Sequence, residues 1–179
     1  MDKAYFDVFE QKTRTELVSI AQSAGLIGEP LPLSDDFSEK WSDFAPAYFA
    51  DAVPEIAKYP LVSMAWAGYV GMAVTYWWDS DWEGHKNSSY QTLYGKHGFD
   101  DLDEHVTFDL LKLDEKQAEN VENTLRNCGE TAISLIRHEN IEPQTRDAFY
   151  AYARCVKVMY EIGAMIELNS LGYKSKRVF

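Results

Sequence analysis

Apolar side chains recur along most of this chain at intervals of three and four residues, the spacing that lines them up on one face of an α-helix. Phe6, Phe9, Leu17, Ile20 and Ala24 largely follow it, and Gly25 is a natural stop for a helix over about 3–24. The next stretch, GLIGEPLPLSDD, crowds glycines and prolines together and reads as a connection. Asp36 with Glu39 has the form of a capping box, which predicts a second helix over about 37–58. Pro46 and Pro54 fall inside it and predict a kink or a break.

Pro60 suits the first turn of a third helix, and Tyr59 to Trp78 carries no charge. On a helical wheel one side of this segment holds Val62, Trp66, Tyr69, Ala73, Tyr76 and Trp77. The other holds Ser63, Ala67, Gly71 and Thr75 at four-residue steps, beside Met64, Gly68 and Met72. A helix that is apolar all round is a buried one, and its small-residue side admits a neighbouring helix closely. Its length, about 30 Å, would also cross a bilayer. Only Leu61, Val62, Val70 and Val74 are aliphatics that drive insertion, so the segment reads as a buried central helix and not as a membrane span.

Residues 79–98 are irregular, and a short helix is expected over about 100–111. Asp114 and Gln117 form a second capping box, after which Ala118, Val121, Leu125, Cys128, Ala132 and Leu135 alternate spacings of three and four. Pro143 is read as opening the final helix, where Phe149, Tyr152, Val156, Met159, Gly163 and Ile166 repeat the alternation and Gly172 closes it. Two such seams joined by the HENIE loop describe an antiparallel helical hairpin. No internal repeat and no strand periodicity competes. The expected fold is an all-α, single-domain bundle of about six helices over residues 1–179, with a buried central helix and a C-terminal antiparallel hairpin.

Charge changes this picture more than composition does. The formal net charge of -12 repels nucleic acid and anionic lipid and favours a basic partner or cations. Cys128 and Cys155 lie within helical segments and read as small buried hydrophobes, with no disulfide framework. The start, MDKAYFDVFEQKTRTEL, lacks a basic stretch followed by an apolar run, so a cytoplasmic address is the expectation.

Candidate chemistry is sparse. Asp79, Asp81, Glu83 and His85 arrive at alternating positions, followed by His97, His105, Asp100, Asp101, Asp103 and Glu104, a mixture that can bind divalent cations. DSDWEGHKNSSY imitates the opening of a calcium loop, but Tyr90 stands where the bidentate glutamate belongs and Lys86 where an apolar residue is usual. No Glu-x-x-His or His-Glu-x-x-His pattern occurs. Trp66, Tyr69, Tyr76 and Trp77 could line a ligand pocket between helices, or simply fill the core. Arg154 could clamp an anion, although an ion pair with Glu161 on the hairpin's outer face is the plainer reading. His138 suits a helix C-terminus. Nucleophile-elbow, phosphate-loop and dinucleotide patterns are missing, and no cofactor is implied.

The leading expectation is a non-enzymatic binding or protein-interaction module that meets a basic protein partner through its acidic surface. The alternatives are a divalent-metal-dependent enzyme using residues 79–105 and a small-molecule binder with an aromatic pocket.

Overall fold

The computed structural model describes residues 1–174 and is helical throughout, so the all-α reading holds; residues 175–179 of the expected domain lie outside the described residues. Helix α1 (Lys3–Ser23) starts where the Asp2 side chain accepts the Tyr5 amide at 3.0 Å. It ends in a Schellman turn at Gly25, whose φ of 76° puts it in the left-handed region. Two closing bonds satisfy the last carbonyls, Leu26 N to Ala21 O and Gly25 N to Gln22 O, both 3.0 Å.

Helix α2 (Asp35–Ala52) departs from expectation at both ends. Ser34 takes the cap position, and Asp36 lies within the first turn, where it accepts the Trp78 indole N–H at 3.1 Å. Pro46 costs one amide donor without breaking the helix. The buried Phe37, Trp41, Phe44 and Tyr48 hold it against the core on either side of the proline. Pro54 does end it, in a short 3₁₀ turn over Val53–Glu55.

Helix α3 (Pro60–His85) is the buried central helix, with Ala67, Val70, Ala73, Val74 and Thr75 wholly out of contact with solvent. It runs past Trp78, where irregular chain was expected, and its helical path is interrupted only at Asp81 (φ -166°, ψ 80°). There the Asp81 carboxylate accepts the Gly84 amide at 3.1 Å and starts one further turn. Short 3₁₀ turns at Tyr90–Leu93 and Phe99–Asp101 lead to α4 (Leu102–Glu104), which passes into a π-helical turn over His105–Leu110.

Helix α5 (Glu115–Arg137) opens with both reciprocal bonds of the expected box, Gln117 N to Asp114 at 2.8 Å and Asp114 N to Gln117 at 3.1 Å. Helix α6 (Arg146–Ser170) starts three residues later than Pro143 implies. Gln144 takes a φ of 62°, which no proline-initiated helix could follow directly, and Thr145 caps the Ala148 amide at 3.2 Å.

The pairings fix the direction of each helix. Asp7 meets Arg154 and Arg14 meets Glu161, so α1 and α6 run parallel. Ser63 meets Tyr152 and Thr75 meets Ala164, both at a separation of 89 residues, so α3 and α6 run parallel as well. Leu17 lies against Cys128 and Ala24 against Asn120, so α5 runs the other way. The expected antiparallel hairpin of α5 and α6 is therefore present, but α6 packs most extensively on α3 and then on α1.

Glycine permits the α3–α6 contact. An ideal Cβ on Gly163 would stand 1.8 Å from the Gly68 carbonyl oxygen, and one on Gly71 would stand 2.0 Å from the Tyr160 carbonyl oxygen. Both obstacles are backbone, so neither can be relieved by a rotamer change. Gly163→Ala gains about 1 kcal/mol of helix propensity, yet it should lower stability by at least about 2 kcal/mol, because two helices must move apart. Gly71→Leu should cost more. Gly28→Ala, with open space around its Cβ, should stay within about 0.5 kcal/mol of the parent. Urea midpoints of the three variants check this ordering, and a Gly163→Ala midpoint equal to the parent's would refute the close contact.

Candidate functional site

The most distinctive polar arrangement lies where α2 passes the end of α3, and it starts from a buried lysine. Lys40 is 3% exposed and sits in helical phase with the apolar stripe Phe37, Trp41, Phe44 and Tyr48. Its ammonium donates to the carbonyls of Lys86 at 2.7 Å and Ser88 at 2.9 Å, just beyond the last turn of α3. It also lies 4.5 Å from the centre of the Phe44 ring and 3.4 Å from Asp43. A positive charge at a helix C-terminus complements the helix dipole, so Lys40 clamps the end of α3 onto α2. The Trp78 indole bond to Asp36 is a second clamp.

Between these clamps runs an open cleft of about 590 Å³ lined by Asp36, Glu39, Lys40, Asp43, Trp82, Glu83, Lys86 and Asn87. Four carboxylates thus face two ammonium groups. Lys40 is turned onto backbone carbonyls, and Lys86 is tied to Glu83 at 2.8 Å. The half-buried Trp82 supplies an aromatic wall. Sequence reasoning missed this cleft apart from Glu83. The signal was Lys40 itself, a lone cation inside an apolar stripe.

The residues singled out as metal candidates have other partners. Asp79 accepts the Tyr173 hydroxyl at 2.7 Å, Asp81 the Gly84 amide, and Glu83 the Lys86 ammonium. His85 donates from Nδ1 to the Asp81 carbonyl at 2.8 Å and stacks on Trp77 with 5° between the ring planes. His97 lies 2.5 Å from Asp101, and His105 lies 3.0 Å from Asp109. Each histidine is thus held by a residue four positions away in its own turn. Among the described residues no group of three or more His, Cys, Asp or Glu side chains could hold a metal ion.

The aromatic candidates are occupied in packing. Trp66 donates its indole N–H to the Phe99 carbonyl at 3.0 Å and meets Tyr69 edge-on at 5.6 Å. Tyr69 and Trp77 are buried, and Trp77 is wedged between Phe44 and His85. Tyr76 is half-buried against the core. Three clefts at the surface are lined by other residues.

Arg154 and Glu161 do not pair with each other, and they do not face outward. Both point at α1, where Arg154 meets Asp7 at 2.7 Å and Glu10 at 3.4 Å. Arg14 forks onto Glu161 with bonds of 2.7 and 3.0 Å. Two parallel helices meeting through charged edges need such pairs to bury Glu10, which is 8% exposed. His138 does occupy the α5 C-terminus, with Nδ1 on the Ser134 carbonyl. Burial pushes the Cys128 and Cys155 thiols up to about 12, so neither supplies a nucleophilic thiolate near neutral pH.

No family model, curated protein or solved structure matches this chain. Among the described residues no helix is long and apolar enough to cross a membrane.

Removing the clamp tests how the cleft is built. Lys40→Met keeps the aliphatic stem and leaves the Lys86 and Ser88 carbonyls without their donor, so unfolding should become easier by about 2–3 kcal/mol. A loss under about 0.5 kcal/mol, the range of an ordinary surface change, would mean that the ammonium anchors nothing. Calcium, zinc or manganese should give no saturable rise in melting temperature that is lost in the variant D79N/D81N/H85A. A native-state site would add about 2.7 kcal/mol at a hundredfold excess over its dissociation constant, and so would be visible.

Proposed function

We propose that this protein is a non-enzymatic interaction module that binds a basic segment of a partner protein in the cleft between α2 and the end of α3. The observation that carries this reading is the cleft's charge balance: Glu39, Asp43 and Glu83 are exposed there, and its lysines are engaged within the fold. A lysine or arginine side chain entering the cleft would meet carboxylates and the Trp82 ring together, adding a cation–π contact to ion pairing. The net charge of -12 would steer such a partner in and make its capture fall with ionic strength.

The experiment separates the cleft from the diffuse field. An eight-residue peptide of alternating lysine and arginine is titrated by calorimetry against the protein, with a glutamine–serine peptide of equal length as control. E39Q/D43N/E83Q should weaken binding about tenfold or more, which is about 1.4 kcal/mol spread over three partly exposed charges. W82A should weaken it by a further factor of about 2 to 5, the scale of an exposed cation–π contact. The variant E115Q/E119Q/E130Q removes as many carboxylates from α5 and should leave affinity within about twofold once salt is at 0.15 M. Equal losses in the two triple variants would overturn the cleft and leave only a non-specific field.

A further inference from the structure

Glu167 is 5% exposed, lies on α6 one turn from its end, and has no ion-pair partner among the described residues. The charge that acts on it is another carboxylate, Asp79 of α3. Asp79 in turn holds the Tyr173 hydroxyl at 2.7 Å, and the Tyr173 ring packs on Trp78 with centroids 5.8 Å apart. Asp36 of α2 lies on the indole nitrogen of Trp78, while Glu29 and Lys174 line the outer groove beside Asn169 and Tyr173. The nearest cation on α6, Lys157, faces Glu10 of α1 instead. The charge facing Glu167 is therefore the Asp79 carboxylate of α3.

Backbone hydrogen bonds close the end of α6. Leu171 N bonds the Glu167 carbonyl at 2.9 Å, Gly172 N the Asn169 carbonyl at 3.0 Å and Tyr173 N the Leu168 carbonyl at 3.0 Å. A fray that breaks these bonds would carry Tyr173 away from Trp78 and Asp79 and bring water to the Glu167 carboxyl.

We infer that Glu167 is a pH-sensitive latch: protonated, it keeps the last turn of α6 and Tyr173 docked on α3, and ionised, it releases them. Burial first, and Asp79 second, push its carboxyl up to about 7 from an ordinary value of 4.5. The frayed turn binds its proton more weakly than the docked turn does, so docking is favoured at low pH and lost as pH rises towards about 7. Release would also open one wall of the groove formed by Ile27, Leu31, Met165, Asn169 and Tyr173.

Amide hydrogen exchange of the full chain, corrected for intrinsic pH dependence, reads the latch at residues 165–174. From the two proton affinities, the opening equilibrium should rise about tenfold between pH 6 and pH 8 and then level off. E167Q should exchange at a pH-independent corrected rate. D79N keeps Glu167 but removes its neighbouring charge, so the levelling-off should move to lower pH and the rise between pH 6 and pH 8 should shrink without vanishing. Circular dichroism confirms that each variant is folded; should E167Q fail to fold, the displaced step in D79N decides. A flat profile in the parent, a step surviving in E167Q, or an unmoved step in D79N would each overturn the latch.

Discussion

The backbone-to-backbone contact of α3 and α6 at Gly68, Gly71 and Gly163 is the constraint on which the rest of the structure depends. With no Cβ at Gly71 and Gly163, the axes approach until carbonyl oxygens of one helix occupy the space where side chains of the other would begin. That approach sets the depth of everything around it. Leu125 of α5 reaches into the space beside Gly68, and Leu61 of α3 reaches into that beside Gly129. Three helices thus share one closely packed line, and the bulky aromatic residues are displaced to its flanks.

The flanking aromatics then take the polar work. Tyr48 of α2 and Tyr152 of α6 both donate to the Ser63 carbonyl, at 2.6 and 3.1 Å, and Tyr160 donates to the Phe37 carbonyl at 2.8 Å. Each hydroxyl spans from one helix to the backbone of another, so each fixes a relative position that apolar packing alone leaves loose. Trp41 stacks on Tyr160 at 4.9 Å and completes the seat of α2. With α2 seated, Lys40 arrives under the end of α3, and the cleft between them takes its shape. The glycine contact and the acidic cleft are in this way linked through two layers of side chains.

The fold was legible where one physical rule dominated. The apolar period gave α1, α3, α5 and α6, and the Asp114 box was read correctly because capping is a local interaction. Asp36 and Glu39 carried the same local signal, yet the long-range bond from Trp78 claimed Asp36 and Ser34 became the cap. Pro143 could have begun a helix on local grounds, but the chain turns at Gln144 first. The small-residue side of α3 pointed to close approach, whereas its partner, α6 at Gly163, could not be named without the parallel register. The candidate site was less legible still. Glu83 was noted for another reason, and Asp36, Glu39, Asp43 and Trp82 come from two helices that only the tertiary fold brings together. Arg154 and Glu161 looked like neighbours on one helix, and α1 supplied a different partner for each.

The placing of charge follows from the same packing. Of the chain's cations, Lys40 is used to hold carbonyls, and Arg14, Arg154 and Lys157 are used to bury Glu10 and join α6 to α1. These pairs take carboxylates inward together with the cations, so the surface keeps the excess of 29 acidic over 17 basic residues. Self-repulsion of such a surface weakens the compact state, most where two carboxylates are near each other with little water between them. Glu167 beside Asp79 is one such place. Asp103 is another: burial first, with Glu104 and Glu122 adding to it, raises its carboxyl to about 6. A basic partner in the cleft would relieve part of that repulsion, and the gain in stability would scale with occupancy as for any ligand that binds only the folded chain.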